Sequence, residues 1–323
     1  REWLYPMTLN PAGATLLPVG VYNKVRIACS GNETRTWIND VPAAFLIDTI
    51  DLEGFIALQV HSIGSAEFAG RKIYWRNIRI KEGAEKNPAF PSAVFVRNMM
   101  PNQLSKAEKA QGWKLLFDGV STKGWRGAYK PGFPEKGWTV TEGTLNVLAS
   151  SGGESTNGGD IVTAEQFGSF DLTFDFKLTP GANSGVKYFV TLTENNSGSA
   201  IGLEYQLLDD TLHPDAKLGR DGNRTLASLY DLIKAEKQKR FIGQPGKWNT
   251  GRIIVYPNNH VEHYLNGIKV LEYDRGSSAF RELVAISKYK VWNQFGEAAK
   301  GHILLQDHGD AVSFRSIKIR ELK

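Results

Sequence analysis

An acidic side chain stands inside an otherwise apolar, strand-like segment, Gly202-Leu203-Glu204-Tyr205-Gln206. Side chains alternate across a strand, so Glu204 and Gln206 share one face while Leu203 and Tyr205 share the other. A carboxylate held in a cleft away from water is a candidate general base. The alternative is a structural ion pair with an Arg or Lys on a neighbouring strand. We expect Glu204 to act as a base and Gln206 to bind substrate beside it.

A second polar pair has the same spacing at Gln306 and His308, which alternation places on one face of a strand with Asp307 turned away. His308 could serve as an acid or as a metal ligand, and Gln306 could contact substrate. The pair recurs at Gln59 and His61, in a part of the chain that has no Glu-Tyr-Gln segment. This recurrence equally favours a structural role, so both interpretations of His308 stay open.

Three carboxylates and an imidazole lie close together in residues 209–215, Asp-Asp-Thr-Leu-His-Pro-Asp. Oxygen and imidazole ligands suit a hard or borderline divalent cation, which makes Asp209, Asp210 and His213 candidate metal ligands. Their spacing matches no specific metal motif, and a solvated acidic turn is the competing interpretation. The sequence therefore allows a divalent metal ion here but predicts no cofactor with certainty.

Period-two alternation predicts the elements that must position these groups. Residues 171–178 place Leu172, Phe174, Phe176 and Leu178 on one face, and similar segments occur at 252–256, 260–265, 302–306 and 312–319. Turn residues such as Asn266-Gly267 separate them. One short helix is expected after Ser105, where Glu108 can complete a capping box. The pattern predicts an all-β sandwich or jelly roll.

Landmarks of residues 229–319 recur in the same order within residues 4–80. Leu4-Tyr5 matches Leu229-Tyr230, residues 54–61 match 301–308, and residues 75–80 match 314–319. We therefore expect residues 1–83 to be the C-terminal half of a β-sandwich repeat, 84–103 a linker, and 104–323 a complete copy. A half sandwich leaves an apolar face and open edges uncovered. We expect either an upstream half in a longer precursor or packing against the complete domain.

The complete copy resembles the 3-keto-disaccharide hydrolase domain family, and residues 1–83 resemble its last segments. The resemblance is carried by eight segments in the family's order, of which none is specific alone. They are 112–119 (GWKLLFDG) with 124–125 (GW), 159–163 (GDIVT), 182–185 (ANSG), 204–210 (EYQLLDD), 229–231 (LYD), 247–249 (KWN), 305–309 (LQDHG) and 314–319 (FRSIKI).

This resemblance implies a concanavalin A-like sandwich that cleaves glycosides whose ring was first oxidised at C3 by another enzyme. A ketone at C3 acidifies the C2 hydrogen, so a base can remove it, the C1 substituent can leave, and water can then add. The resemblance also implies a periplasmic or secreted location. The first copy has Val60 where the complete copy has Asp307 and lacks the Glu-Tyr-Gln segment, so we expect it to be inactive alone.

Further residues are candidates for binding the oxidised sugar. Asn183 stands at the start of a predicted strand that contains Lys187. Their amide and ammonium groups could hold sugar hydroxyls or an enolate oxygen, although Asn is also favoured in turns. Asp160 and Arg224 are weaker candidates, because Asp160 follows two glycines in what could be a simple turn. Trp292 lies in a less patterned stretch and is predicted to be an exposed stacking platform.

Composition narrows the classes of function that this chain could have. The formal charge of +5 comes from scattered basic residues, which argues against nucleic-acid binding, and no apolar stretch is long enough for a membrane span. Cys29 is the one cysteine, so no intrachain disulfide can form. Alternation with Val25 and Ile27 predicts that its thiol is buried. The competing functional class is a non-catalytic carbohydrate-binding module, since this kind of sandwich also binds glycans without cleaving them.

Overall fold

The computed structural model describes residues 4–14, 17–60, 62–83, 88–150, 153–193 and 199–323. In sequence order the strands are β1 (Val25–Ser30), β2 (Glu33–Ile38), β3 (Val41–Ile47), β4 (Val96–Asn98), β5 (Lys114–Leu115), β6 (Trp125–Gly127), β7 (Trp138–Thr141), β8 (Thr144–Val147), β9 (Ile161–Thr163), β10 (Phe170–Leu178), β11 (Asn183–Val190), β12 (Leu203–Leu208), β13 (Asn249–Val255), β14 (His260–Leu265), β15 (Ile268–Asp274), β16 (His302–Leu305) and β17 (Val312–Glu321). The α-helices are α1 (Pro11–Ala14), α2 (Lys106–Ala110) and α3 (Ser278–Ala285), and short 3-10 helices occupy Met7–Leu9, Ala66–Phe68, Pro214–Lys217, Lys239–Phe241 and Lys288–Val291.

Two antiparallel sheets form the main body. One has the order β15-β14-β13-β10-β17-β8-β7, with β5 added beside β17, and the other has the order β12-β11-β16-β9-β6. Apolar side chains of both sheets, among them Phe174, Tyr205 and Phe314, meet between them in one buried core. This arrangement confirms the predicted all-β, concanavalin A-like sandwich.

Local chemistry explains the strands and the turns that the alternation predicted. β10 and β17 lie side by side at the centre of the larger sheet, and their inward apolar residues are fully buried. Asn266 and Gly267 both have positive φ angles at the β14–β15 turn, as a tight hairpin requires. Ser105 caps α2 and Glu108 closes the capping box, so the helix prediction is confirmed.

A smaller sheet precedes the sandwich, with the order β1-β2-β3-β4. Its β4 lies within the predicted linker 84–103 and pairs in parallel with β3, so this part of the linker is packed. Residues 84–87 lie outside the described part of the chain. The smaller sheet contacts the sandwich through its flanking segments, where Phe95 packs edge-on against Trp113 and Arg252 stacks on Phe95.

The expectation of a buried Cys29 thiol is wrong. Cys29 is exposed, as are Val25 and Ile27 on the same strand. β1 is an edge strand of a small sheet, and no described residue covers this face, so alternation correctly grouped the three side chains but could not supply a layer above them. Within the described residues, no helix is long and apolar enough to cross a membrane.

Candidate active site

The outward face of the smaller sandwich sheet carries a buried polar cluster. Alternation along β12 sends Tyr205 into the core and leaves Glu204 and Gln206 on the opposite face, as predicted. The antiparallel register with β11 then sets Lys187 directly across from Glu204 and Gly185 across from Gln206. Pairing of two strands therefore brings a carboxylate and an ammonium together on one surface.

Glu204 is 4% exposed, and its carboxylate lies against the α-carbon of Gly185, where a methyl group would collide with it. No described donor forms a hydrogen bond with this carboxylate. Burial raises the pKa of Glu204, and the charge of Glu154 adds to that shift, while the charges of Lys187 and Lys288 oppose it. A buried carboxylate with unused acceptor capacity and a raised pKa is suited to accept a proton.

Lys187 is held rather than free to move. Its Nζ donates to Ser199 Oγ at 2.8 Å and to the Ala200 carbonyl at 3.0 Å. Burial alone would lower the pKa of Lys187, but the charges of Glu204, Asp160 and Glu154 outweigh burial and raise it. The ammonium therefore stays protonated and offers a fixed positive charge beside Glu204.

Glu154 is a site residue that the sequence did not reveal. Gln306 Nε2 donates to its Oε1 at 2.5 Å, and Lys187 Nζ lies 3.8 Å from the same oxygen. Partial burial opposes ionisation of Glu154, but the charge of Lys187 and a hydrogen bond from Ser199 keep its pKa below the usual value. Glu154 and Glu204 thus share one cluster with pKa values displaced in opposite directions.

The Asp160 carboxylate connects three chain segments that surround the cluster. It accepts from the Asp307 amide at 3.0 Å, from Ser155 Oγ at 3.1 Å and from the Ala200 amide at 3.2 Å. Burial raises its pKa despite the nearby charge of Lys187. With its oxygens occupied by three chain segments, Asp160 positions the loop that carries Glu154 and the segment that holds Lys187.

His308 joins His213 and Asp310 in a group whose potential ligand atoms all lie within 4.8 Å of one another. Asn183 Nδ2 lies 3.2 Å from His308 Nε2, and the Asn183 amide donates to Asp310 at 2.9 Å. His213 Nδ1 accepts from the Asp215 amide, which leaves Nε2 as its ligand atom. Burial and the charge of His308 lower the pKa of His213, favouring the neutral ring that binds metals.

The other two metal candidates, Asp209 and Asp210, have carboxylates that accept hydrogen bonds from other groups. Asp209 accepts from the backbone amides of Gly181, Thr211 and Leu212. Asp210 accepts from the Leu226 amide and from Lys237 Nζ, both at 2.6 Å. Of the predicted loop, His213 is the member that reaches the group with His308, because Asp209 caps the turn and Asp210 binds Leu226 and Lys237 instead.

Arg224 and Trp292 also have structural partners. Arg224 forms ion pairs with Asp231 at 2.8 Å and with Asp215 at 3.0 Å, and Tyr230 Oη donates to Asp215 at 2.8 Å. These contacts brace the loops beside the cluster. Trp292 is half-buried and packs against the core near Tyr289, so it does not form the exposed platform that was predicted.

Three buried side-chain oxygens around the cluster have no hydrogen-bond partner among the described residues: Asn183 Oδ1, Gln206 Oε1 and Gln306 Oε1. Buried acceptors without a partner are costly, so their presence on one face favours a bound ligand that completes them. All three residues were predicted to bind substrate, Gln206 and Gln306 from their strand faces and Asn183 from its amide at the start of a strand. The retained His61 of the first copy lies outside the described residues, so its comparison with His308 stops at the sequence.

Comparisons with known proteins agree with this architecture. A profile of the 3-keto-alpha-glucoside-1,2-lyase-like domain family matches residues 3–81 and 112–320. A 3-keto-disaccharide hydrolase of Bacteroides thetaiotaomicron is 38% identical over 235 residues, which cover 66% of this chain and 79% of that protein. A crystal structure of a candidate glycosyl hydrolase from Parabacteroides distasonis is 29% identical with a TM-score of 0.60, and it covers 69% of this chain and 100% of its own. The chain therefore belongs to the 3-keto-alpha-glucoside-1,2-lyase-like domain family and is a glycoside-cleaving enzyme.

Proposed function

We propose that the enzyme cleaves 3-keto-glycosides, 3-keto-disaccharides among them, with Glu204 as the base that removes the C2 proton. The observation that carries this proposal is the buried Glu204 carboxylate, which has no hydrogen-bond donor among the described residues and a raised pKa. A C2 hydrogen beside a ketone is acidic enough for such a carboxylate. The hydrolase of Bacteroides thetaiotaomicron, whose name specifies this substrate class, supports the choice of substrate.

The chemistry proceeds in two balanced stages. In the first, the C2–H bond breaks, its proton passes to Glu204, an enolate forms, and expulsion of the C1 substituent generates a C1=C2 double bond. The departing oxygen takes a proton from an acid, and His308 is the residue we propose for this role. In the second, water adds its hydroxyl to C1, protonated Glu204 returns a proton to C2, and the remaining proton of the water restores the acid.

The fixed charge of Lys187 supports the first stage, because negative charge develops on the C3 oxygen as the C2 proton leaves. A positive group held in place by protein contacts stabilises such charge without reorganising. Asn183, Gln206 and Gln306 supply the buried oxygens that can accept hydrogen bonds from sugar hydroxyls. Asp160 contributes by position, since it ties together the segments that hold Glu154 and Lys187.

We also propose that His213, His308 and Asp310 can hold a divalent cation. Two imidazoles and one carboxylate suit a borderline ion such as Zn²⁺ and leave coordination positions open, and Asn183 beside them has a buried oxygen without a partner. A cation there would polarise the substrate carbonyl. In that case His308 serves as a ligand, and the leaving group takes its proton from another donor.

The test is product formation from a 3-keto-disaccharide in deuterium oxide. Release of the 3-keto-sugar with deuterium at C2 is expected, because the base exchanges its proton with solvent. Glu204→Gln should lower kcat at least about 100-fold, whereas Glu165→Gln, an exposed glutamate paired with Lys114, should not. Cleavage without deuterium at C2, or an active Glu204→Gln variant, contradicts the proposed base. Binding of an unoxidised glycan without turnover of any keto-sugar favours a binding module instead.

A further inference from the structure

The small N-terminal sheet repeats the contacts of the sandwich in detail. Asn39 Nδ2 donates to Asn23 Oδ1 at 2.8 Å and so clasps the start of β1 to the β2–β3 turn. In the sandwich, Asn266 Nδ2 donates to Asn249 Oδ1 at 2.8 Å, between the start of β13 and the β14–β15 turn. The three-stranded units β1–β3 and β13–β15 therefore share the same Asn–Asn side-chain hydrogen bond.

A second shared contact links more distant segments. Arg76 stacks over Tyr22 with its guanidinium carbon 3.6 Å from the ring centre, and Arg315 stacks over Trp248 at 4.1 Å. These pairs occupy matching positions in the aligned sequences. Residues 72–82 therefore keep one contact near the start of β1 that matches a contact between β17 and the start of β13, although they form no β-pairing with any described residue.

Apolar residues of the first copy are exposed to solvent where their counterparts in the sandwich are buried. Five apolar residues of 54–60 and 72–82 align with core residues of the sandwich: Ile56, Leu58, Trp75, Ile78 and Ile80 align with Ile303, Leu305, Phe314, Ile317 and Ile319. The first set is 49% to 74% exposed, and the second set is at most 1% exposed. Contacts of the N-terminal unit with the sandwich run through Phe95 and the segment near Leu9, so they leave this apolar set uncovered.

The complete copy shows which strands flank these positions. β16 pairs with β9 and β11, and β17 pairs with β8 and β10. β13 likewise pairs with β10 on the side where the equivalent edge of β1 has no partner among the described residues. These pairing strands belong to the first half of the sandwich, which has no counterpart in residues 4–83.

We infer that residues 17–83 are the C-terminal half of a second sandwich, and that their apolar face and the β1 edge bind a half-sandwich segment equivalent to residues 104–228. In the complete copy, residues 104–228 connect to the C-terminal half ahead of Leu229, which aligns with Leu4. Its inner face must be apolar, and its longest strand must pair antiparallel with β1. This completion is independent of the chemistry proposed for Glu204.

The experiment adds a first sandwich half to the intact chain. Residues 104–228 are duplicated and fused ahead of Leu4, at the junction where Leu4-Tyr5 aligns with Leu229-Tyr230. Amide exchange of residues 54–60 and 72–82 is followed by mass spectrometry in the chain and in the fusion. Exchange in these segments should slow by about 100-fold or more in the fusion, and Trp75 fluorescence should shift to shorter wavelength.

Ile27→Asp is the matched control. Ile27 is 64% exposed, whereas its counterpart Ile253 is completely buried, so the substitution should leave the present chain unchanged but prevent protection in the fusion. Three results overturn the inference: rapid exchange that persists in the fusion while residues 104–323 stay protected, slow exchange already present in the unfused chain, and protection that survives Ile27→Asp.

Discussion

Replacement of Gly185 by alanine tests whether Glu204 must occupy its observed position. Gly185 lies on β11 with an ordinary extended backbone, so alanine is conformationally acceptable there. Its methyl group would nevertheless overlap the Glu204 carboxylate, whereas ordinary contact begins at 3.4 Å. The carboxylate must therefore move by about 1 Å, a displacement that can cost about 100-fold in rate when the group is catalytic.

Stability should change less than activity. Overpacking costs about 1–3 kcal/mol, while alanine restricts the unfolded chain and returns about 0.4–1 kcal/mol. We expect a net loss of about 1 kcal/mol by urea denaturation, with kcat for a 3-keto-disaccharide reduced about 100-fold.

Two further variants serve as controls for Gly185→Ala. Gly132→Ala adds a methyl group in open space and should leave kcat unchanged. Adding Gly185→Ala to Glu204→Gln should cause little further loss, because both changes act through one carboxylate. Full activity of Gly185→Ala would refute the required placement of Glu204, and additive losses in the double variant would show that Gly185 acts through another group.

Three other outcomes follow from the charges. Because the charge of Glu154 helps raise the pKa of Glu204, Glu154→Gln should move the acid limb of the kcat/KM profile to lower pH; an unmoved limb contradicts that coupling. Asp171 is buried in ion pairs with Arg252, so Asp171→Asn should cost about 3 kcal/mol of stability at neutral pH. This cost should fade in acid. The native ion pair lowers the pKa of Asp171, and its stabilisation is lost as that carboxylate protonates. His213→Ala should weaken Zn²⁺ binding measured by calorimetry at least about tenfold; unchanged affinity excludes this ligand.

The sequence predicted features that depend on a local period. Alternation placed Glu204 and Gln206 on one strand face, and the spacing of Ser105 and Glu108 predicted the capped helix. Neither required knowledge of a distant residue. Helix α3 (Ser278–Ala285) was missed, although Ser277 ahead of it is a capping residue that could have indicated its start.

Features that depend on distant neighbours were not predictable in the same way. Glu154 lies in a Gly- and Ser-rich loop without any period, and it reaches Gln306 only after the sheet has formed. Asp209 and Asp210 have the right chemistry for a metal, yet nearby amides and Lys237 occupy their oxygens. Composition shows which groups can bind a cation, and only the fold shows which oxygens remain available.

The cluster itself distinguishes its acidic residues by their partners. Burial raises the pKa of both Glu204 and Asp160, so pKa alone cannot identify the base. The oxygens of Asp160 accept hydrogen bonds from the Asp307 and Ala200 amides and from a serine hydroxyl, whereas no described residue donates to the Glu204 carboxylate. Proton transfer requires an accessible lone pair as well as a matched pKa. Since Glu154 keeps a lowered pKa beside Lys187, Glu204 is the one of these three carboxylates that combines proton affinity with an oxygen available to substrate.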